Sequence, residues 1–136
     1  MKPRFMLDTN ICIYLMKHHP PEVAERFSAC FFGEVVISAI TLAELEFGVL
    51  CSGENRTKNR RALDSLLEDL AVAPFERDAA AAYAPIRFAN RERNRDAMDR
   101  LIAAHAIALG VTLVTNNEGD FSRYPDLMLE NWVGKH

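Results

Sequence analysis

A chain of 136 residues, 49% hydrophobic and 26% charged, is long enough to bury one core and too rich in apolar residues for extended disorder. A net charge of −3 argues against a protein that coats nucleic acid indiscriminately, and no apolar run approaches the roughly 20 residues of a membrane-spanning helix. Cys12, Cys30 and Cys51 lack the two-residue spacing of zinc or redox motifs and read as reduced structural thiols; the apolar start stops at Asp8 without a secretory core, so a cytoplasmic address is expected.

Phe5-Met6-Leu7 reads as a short buried strand, after which Asp8-Thr9-Asn10 offers helix-capping side chains ahead of Ile11, Tyr14 and Leu15. Beyond a turn at His18-His19-Pro20-Pro21, Val23, Phe27 and Phe31 recur at helical spacing over 22–32, and Gly33 ends that helix. Residues 35–40, rich in β-branched side chains, predict a second buried strand, with Thr41 opening a helix through Leu50. Leu63, Leu66, Leu67 and Leu70 mark an amphipathic helix over 56–70. Residues 71–75 predict an edge strand, because Pro74 removes a ladder donor. Helices over 78–89 and 96–109 follow, the second stopped by Gly110; residues 111–115 form the clearest strand and 128–132 a last short one. Strands alternating with helices predict an α/β fold, a parallel sheet covered on both faces, with ligands at the carboxyl ends of its strands.

Asp8, Glu44, Asp99 and Asp120 each follow or enter an apolar stretch near those ends. Hard oxygen donors held rigidly suit Mg²⁺ or Mn²⁺, which makes phosphodiester hydrolysis the first chemistry to consider. Each acid also has a purely structural explanation. Thr41-Leu42-Ala43-Glu44 fits a capping box, Asp8 and Asp96 fit helix N-caps, Asp99 a first-turn acid facing the helix dipole, and Asp120 a solvated loop. Thr9 and Thr115 flank strand ends, where a hydroxyl either orients a carboxylate or simply caps. His105, on the apolar side of its helix with Ile102 and Leu109, reads as a packed, hydrogen-bonded histidine rather than a base, and His18 and His19 as solvated turn residues.

The segments Met6-Leu7-Asp8-Thr9-Asn10, Ser38-Ala39-Ile40-Thr41-Leu42-Ala43-Glu44-Leu45, Asp99-Arg100-Leu101-Ile102-Ala103-Ala104-His105-Ala106 and Val114-Thr115-Asn116-Asn117 resemble the PIN-domain ribonucleases. They stand in family order nearly end to end, and the whole chain is similar to the VapC toxins of bacterial type II toxin–antitoxin pairs. The resemblance implies a PIN-like three-layer α/β/α fold, a central parallel sheet of four or five strands, and one nuclease domain over residues 1–136. It carries a Mg²⁺ site, with Mn²⁺ as a substitute, onto Asp8, Glu44 and Asp99. The fourth position is open between Asn117 and Asp120; charge favours Asp120, with Asn117 as a polar contact. Where relatives often carry glycine, proline and an aromatic residue, this chain has Asp96-Ala97-Met98, so Asp96 is a helix N-cap first, and otherwise an extra metal ligand or a support behind the ligands.

The resemblance further implies a structured RNA substrate, initiator tRNA being known among relatives, a homodimer, and a VapB-type antitoxin whose C-terminal segment blocks the site. Leu15, Phe31 and Phe47 either line that groove or belong to the core. Basic residues must surround an acidic site that takes a phosphate backbone. Arg56, Lys58, Arg60 and Arg61 form one cluster; Arg87, Arg91, Arg93 and Arg95 form another that runs into Asp96 and Asp99, which marks Arg93 and Arg95 as substrate contacts. Hydrolysis by a metal-activated water is expected to leave a 3′-hydroxyl and a 5′-phosphate. The alternatives are a non-catalytic PIN-like module that binds RNA or protein, which would lack a metal ligand, and a phosphatase, which would want an acid where Asn10 stands.

Overall fold

The computed structural model describes residues 2–93 and 95–134. Five short strands, β1 (Phe5–Leu7), β2 (Val35–Ser38), β3 (Ala71–Ala73), β4 (Thr112–Val114) and β5 (Met128–Glu130), form one sheet in the order β3-β2-β1-β4-β5. Every pairing is parallel, and Met6 stands level with Val36 on one side and Leu113 on the other. The expected α/β architecture is therefore present, with β3 at an edge as expected, although it ends at Ala73 and leaves Pro74 outside the strand.

Side chains alternate across the pleat and so divide the core in two. Phe5, Leu7, Val35 and Ile37 face helices α1 (Thr9–Lys17), α2 (Pro21–Ser28), α3 (Ala39–Leu50) and α4 (Arg56–Asp69), packing against Ile11, Val23, Leu45 and Leu63. Met6, Val36 and Leu113 face the other way, onto Ile86 of α5 (Arg77–Ala89) and Ile102, Ala103 and Ala106 of α6 (Ala97–Leu109). The run of alanines on α6 lets that helix lie close to the sheet, which brings its N-terminal turn to the edge where β1 and β4 end. Gly110 ends α6 in the left-handed conformation at φ 68, where a side chain would be strained.

Several boundaries differ from expectation. Helix α2 stops at Ser28, leaving Phe31 and Phe32 outside it and 71% and 68% exposed. Leu15 is buried, whereas Phe47 stands 68% exposed on α3, so only the first of the three groove-or-core residues is core. Strand β2 ends at Ser38 and α3 begins at Ala39, two residues before Thr41. The reason is local: Ser38 Oγ accepts the Ile40 N–H and caps the helix first. Thr41 is then a buried first-turn residue whose hydroxyl has no hydrogen bond, and the capping box with Glu44 does not form. The three cysteines are free; Cys12 is buried, and Cys51 is exposed at the end of α3 rather than packed.

Candidate metal centre

Each acid reaches the site from a different element. Asp8 follows β1 directly and caps α1, its Oδ1 accepting the Ile11 N–H at 2.9 Å. Only 4% of Asp8 is exposed, and burial pushes its carboxyl up, partly opposed by hydrogen bonds from the Thr115 hydroxyl and the Ile11 and Asn10 amides. Thr115, just past β4, also accepts the Asn117 N–H at 2.9 Å, so the loop after β4 fixes the hydroxyl that holds Asp8. Glu44 projects from the second turn of α3 and accepts the Thr9 hydroxyl at 2.6 Å. Both threonines thus orient carboxylates.

Asp99 is the hub. It sits in the first turn of α6, where its carboxyl is pushed up to about 6, first by burial and then by repulsion from Asp96, Asp8, Glu44 and Asp120. Asp120 lies on α7 (Glu118–Phe121), a single turn not anticipated from sequence, and its Oδ2 accepts the Asn117 side-chain amide at 2.7 Å. Carboxylate oxygens of Asp96, Asp99 and Asp120 lie within 4.8 Å of one another. The donor set is all oxygen and mutually repulsive, which fits a hard divalent cation such as Mg²⁺ or Mn²⁺.

Asp96 occupies the N-cap position of α6 but caps nothing, a correction to its simplest reading. Its backbone is left-handed at φ 68, and its Oδ2 receives both Nε and a terminal nitrogen of Arg93, at 2.7 and 2.6 Å. The guanidinium holds the Asp96 carboxyl below the usual range, opposite to the shift of Asp99 three residues on. Arg100, adjacent to Asp99, is fully buried and donates to the Arg95 carbonyl at 2.6 Å, tying the loop before α6 to the helix.

Arg91, Arg93 and Arg95 share the lining of an open cavity of about 870 Å³ with Arg123. Arg123 was missed by sequence reasoning; its spacing of three from Asp120 on a helical turn was the available signal, and it donates to the Asp120 carbonyl at 3.0 Å. The other basic cluster is engaged elsewhere: Arg60 forks onto Glu46 and Asp64, and Arg56 donates to the Leu50 carbonyl. His105 is buried between Ser38 Oγ, 2.8 Å from its Nδ1, and the Pro74 carbonyl, so it packs and bonds as expected.

A second cavity, about 640 Å³, runs between α1, α3 and α4 and has Glu44 in its lining. Ile13, Met16, Leu45 and Val49 make it apolar, Lys17 and Lys58 share its lining, and Gly48 leaves open space where a side chain would stand.

Comparison with known proteins gives consistent matches. The family model described as PIN domain matches residues 5–127. Ribonuclease VapC2 of Rickettsia felis is 38% identical over 131 residues, 94% of this chain and 97% of that one. The tRNA(fMet)-specific endonuclease VapC of Shigella flexneri is 36% identical, covering 95% and 98%. Among solved structures, VapBC2 from Rickettsia felis bound to a DNA fragment from its promoter aligns with a TM-score of 0.84 at 37% identity, over 94% of this chain and 98% of that one. DNA-bound VapBC from Salmonella typhimurium aligns with a TM-score of 0.86 at 33% identity, over 96% and 98%.

Proposed function

The chain belongs to the PIN domain family, and on that premise we propose that it is a VapC-type toxin, a metal-dependent endoribonuclease that hydrolyses a phosphodiester bond in structured RNA and thereby inhibits translation. The observation that carries this reading is the gathering of carboxylate oxygens of Asp96, Asp99 and Asp120 within 4.8 Å of one another, with Asp8 and Glu44 near enough for their charge to push the Asp99 carboxyl up. A non-catalytic relative would be expected to lack a ligand, and none of these carboxylates is missing.

Asp8, Glu44, Asp99 and Asp120 are the residues that would hold Mg²⁺ or Mn²⁺. Bound there, the cation supplies a water of lowered pKa and charge stabilisation for the leaving oxygen. Thr115 and Thr9 keep Asp8 and Glu44 aimed, and Asn117 does the same for Asp120. Asp99 must give up its proton for the centre to assemble, because its carboxyl titrates at about 6 when it faces the other acids alone. Arg93, Arg95 and their neighbours offer cations to the RNA backbone beside the scissile bond. Water as nucleophile leaves a 3′-hydroxyl and a 5′-phosphate.

Initiator tRNA is the substrate proposed first, since the Shigella relative is named for tRNA(fMet). The partner is a VapB-type antitoxin, as in the solved VapBC assemblies, with the groove that has Glu44 in its lining as its seat. A homodimer acting in the cytoplasm completes the reading; no helix of the described residues is long and apolar enough to cross a membrane. Incubating the protein with initiator tRNA and Mg²⁺, then mapping the product ends, tests it. Cleavage with a 5′-phosphate that stops in EDTA and in Asp99→Asn is expected. Cleavage surviving either change, or a cyclic phosphate end, would overturn the mechanism.

A further inference from the structure

Arg93 belongs to two places at once. Its guanidinium grips Asp96 Oδ2 through two nitrogens, while the same side chain lines the cavity shared with Arg91, Arg95 and Arg123. Asp96, for its part, lies among the acids within 4.8 Å of Asp99 and Asp120. The side chain of Asp96 is free for this because it does not cap α6, although its backbone stands in a conformation that favours glycine.

We propose that Arg93 is an exchange residue: it neutralises Asp96 while the centre is metal-free, and when a divalent cation takes the acids it turns into the arginine-lined cavity to bind an RNA backbone phosphate next to the scissile one. This rests on the nuclease reading above. The physical ground is competition. A cation seated beside Asp96, Asp99 and Asp120 would repel the Arg93 guanidinium and compete with it for the charge of Asp96, and the cavity offers the displaced guanidinium a site rich in like charge that only an anion stabilises. Metal and RNA are then linked, each raising the affinity for the other, as reciprocity of binding free energies demands. Arg91 lacks this dual position. It stacks over the Phe88 ring at 4.5 Å and donates to the Phe88 carbonyl, so it contributes charge to the same cavity without touching a site acid.

The test compares Arg93→Gln with Arg91→Gln in the full chain, two variants of equal charge. Calorimetric titration with Mn²⁺ is expected to show about three- to tenfold tighter binding for Arg93→Gln, the size of one competing ion pair, and less than about twofold change for Arg91→Gln. Fluorescence anisotropy with a labelled RNA stem–loop, the centre loaded with Ca²⁺, is expected to show weaker binding for Arg93→Gln and a salt slope reduced by about one. Without the cation, Arg93→Gln is expected to bind this RNA like the unaltered protein. Equal Mn²⁺ affinity in the two variants, or the same loss of RNA binding with and without Ca²⁺, overturns the exchange and leaves the nuclease reading intact. Failure of the unaltered protein to bind Mn²⁺ overturns both.

Discussion

Asp99 is the residue whose chemistry is most exposed to measurement. Its carboxyl titrates at about 6 in the folded, metal-free protein against an ordinary 3.8. Folding therefore favours the protonated acid: its contribution to stability is fully present below pH about 4 and is lost as the pH rises through 6. Thermal melts in EDTA should show the unaltered protein losing stability across this window relative to Asp99→Asn. The gap at neutral pH should be on the order of 1 kcal/mol, since solvent screens a partly exposed group. Mn²⁺ binding runs in the opposite sense, because the proton must leave first, and its affinity should fall roughly tenfold per pH unit below 6. A flat calorimetric profile from pH 7.5 down to about 5 would show that Asp99 is not a ligand.

At the level of elements, the start of α3 decides where Glu44 points. Ser38 Oγ accepts the Ile40 amide and, with His105 Nδ1 accepting in turn, joins β2, α3 and α6 in one buried chain of hydrogen bonds. Ser38→Ala should cost about 1–3 kcal/mol in urea unfolding, through the lost cap and the orphaned ring nitrogen. Thr41→Val, three residues on, should be neutral or stabilising by up to about 1 kcal/mol, because its hydroxyl is already buried without a partner. Were a Thr41–Glu44 capping box present, the order of these two losses would reverse. The contrast also explains what was legible beforehand. The apolar runs at Phe5–Leu7 and Thr112–Val114 and the glycine at 110 identified β1, β4 and the end of α6, because buried parallel strands and left-handed stops leave plain compositional marks. Ser38 and Thr41 carry the same capping chemistry, so sequence could not rank them. Asp96 reads as an N-cap for the same reason, and only the position of Arg93 shows that its side chain is engaged elsewhere. The acids were individually ambiguous; the sheet order that unites them is set by contacts distant in sequence, and was reachable only through resemblance to the PIN-domain ribonucleases.

For the whole molecule, the apolar groove between α1, α3 and α4, proposed above as the antitoxin's seat, shares Glu44 with the candidate centre. Gly48 leaves open space where a side chain would stand. Gly48→Phe should fill that space, gain up to about 1 kcal/mol of helix stability, and retain Mn²⁺ binding while losing co-purification with a VapB-type antitoxin. A complex that persists unchanged would move the antitoxin's seat to another face. The strand order carries a consequence of its own. Strand β1 lies in the middle of the sheet, and one of the two neighbours that flank it, β4, follows it far along the chain. Asp8 thus emerges well before Asp99, Thr115 and Asp120, with Glu44 alone of the other site acids in between. A ribosome synthesising this polypeptide holds an unfinished blade until β4 and α7 have emerged, and only then can the cutting edge close.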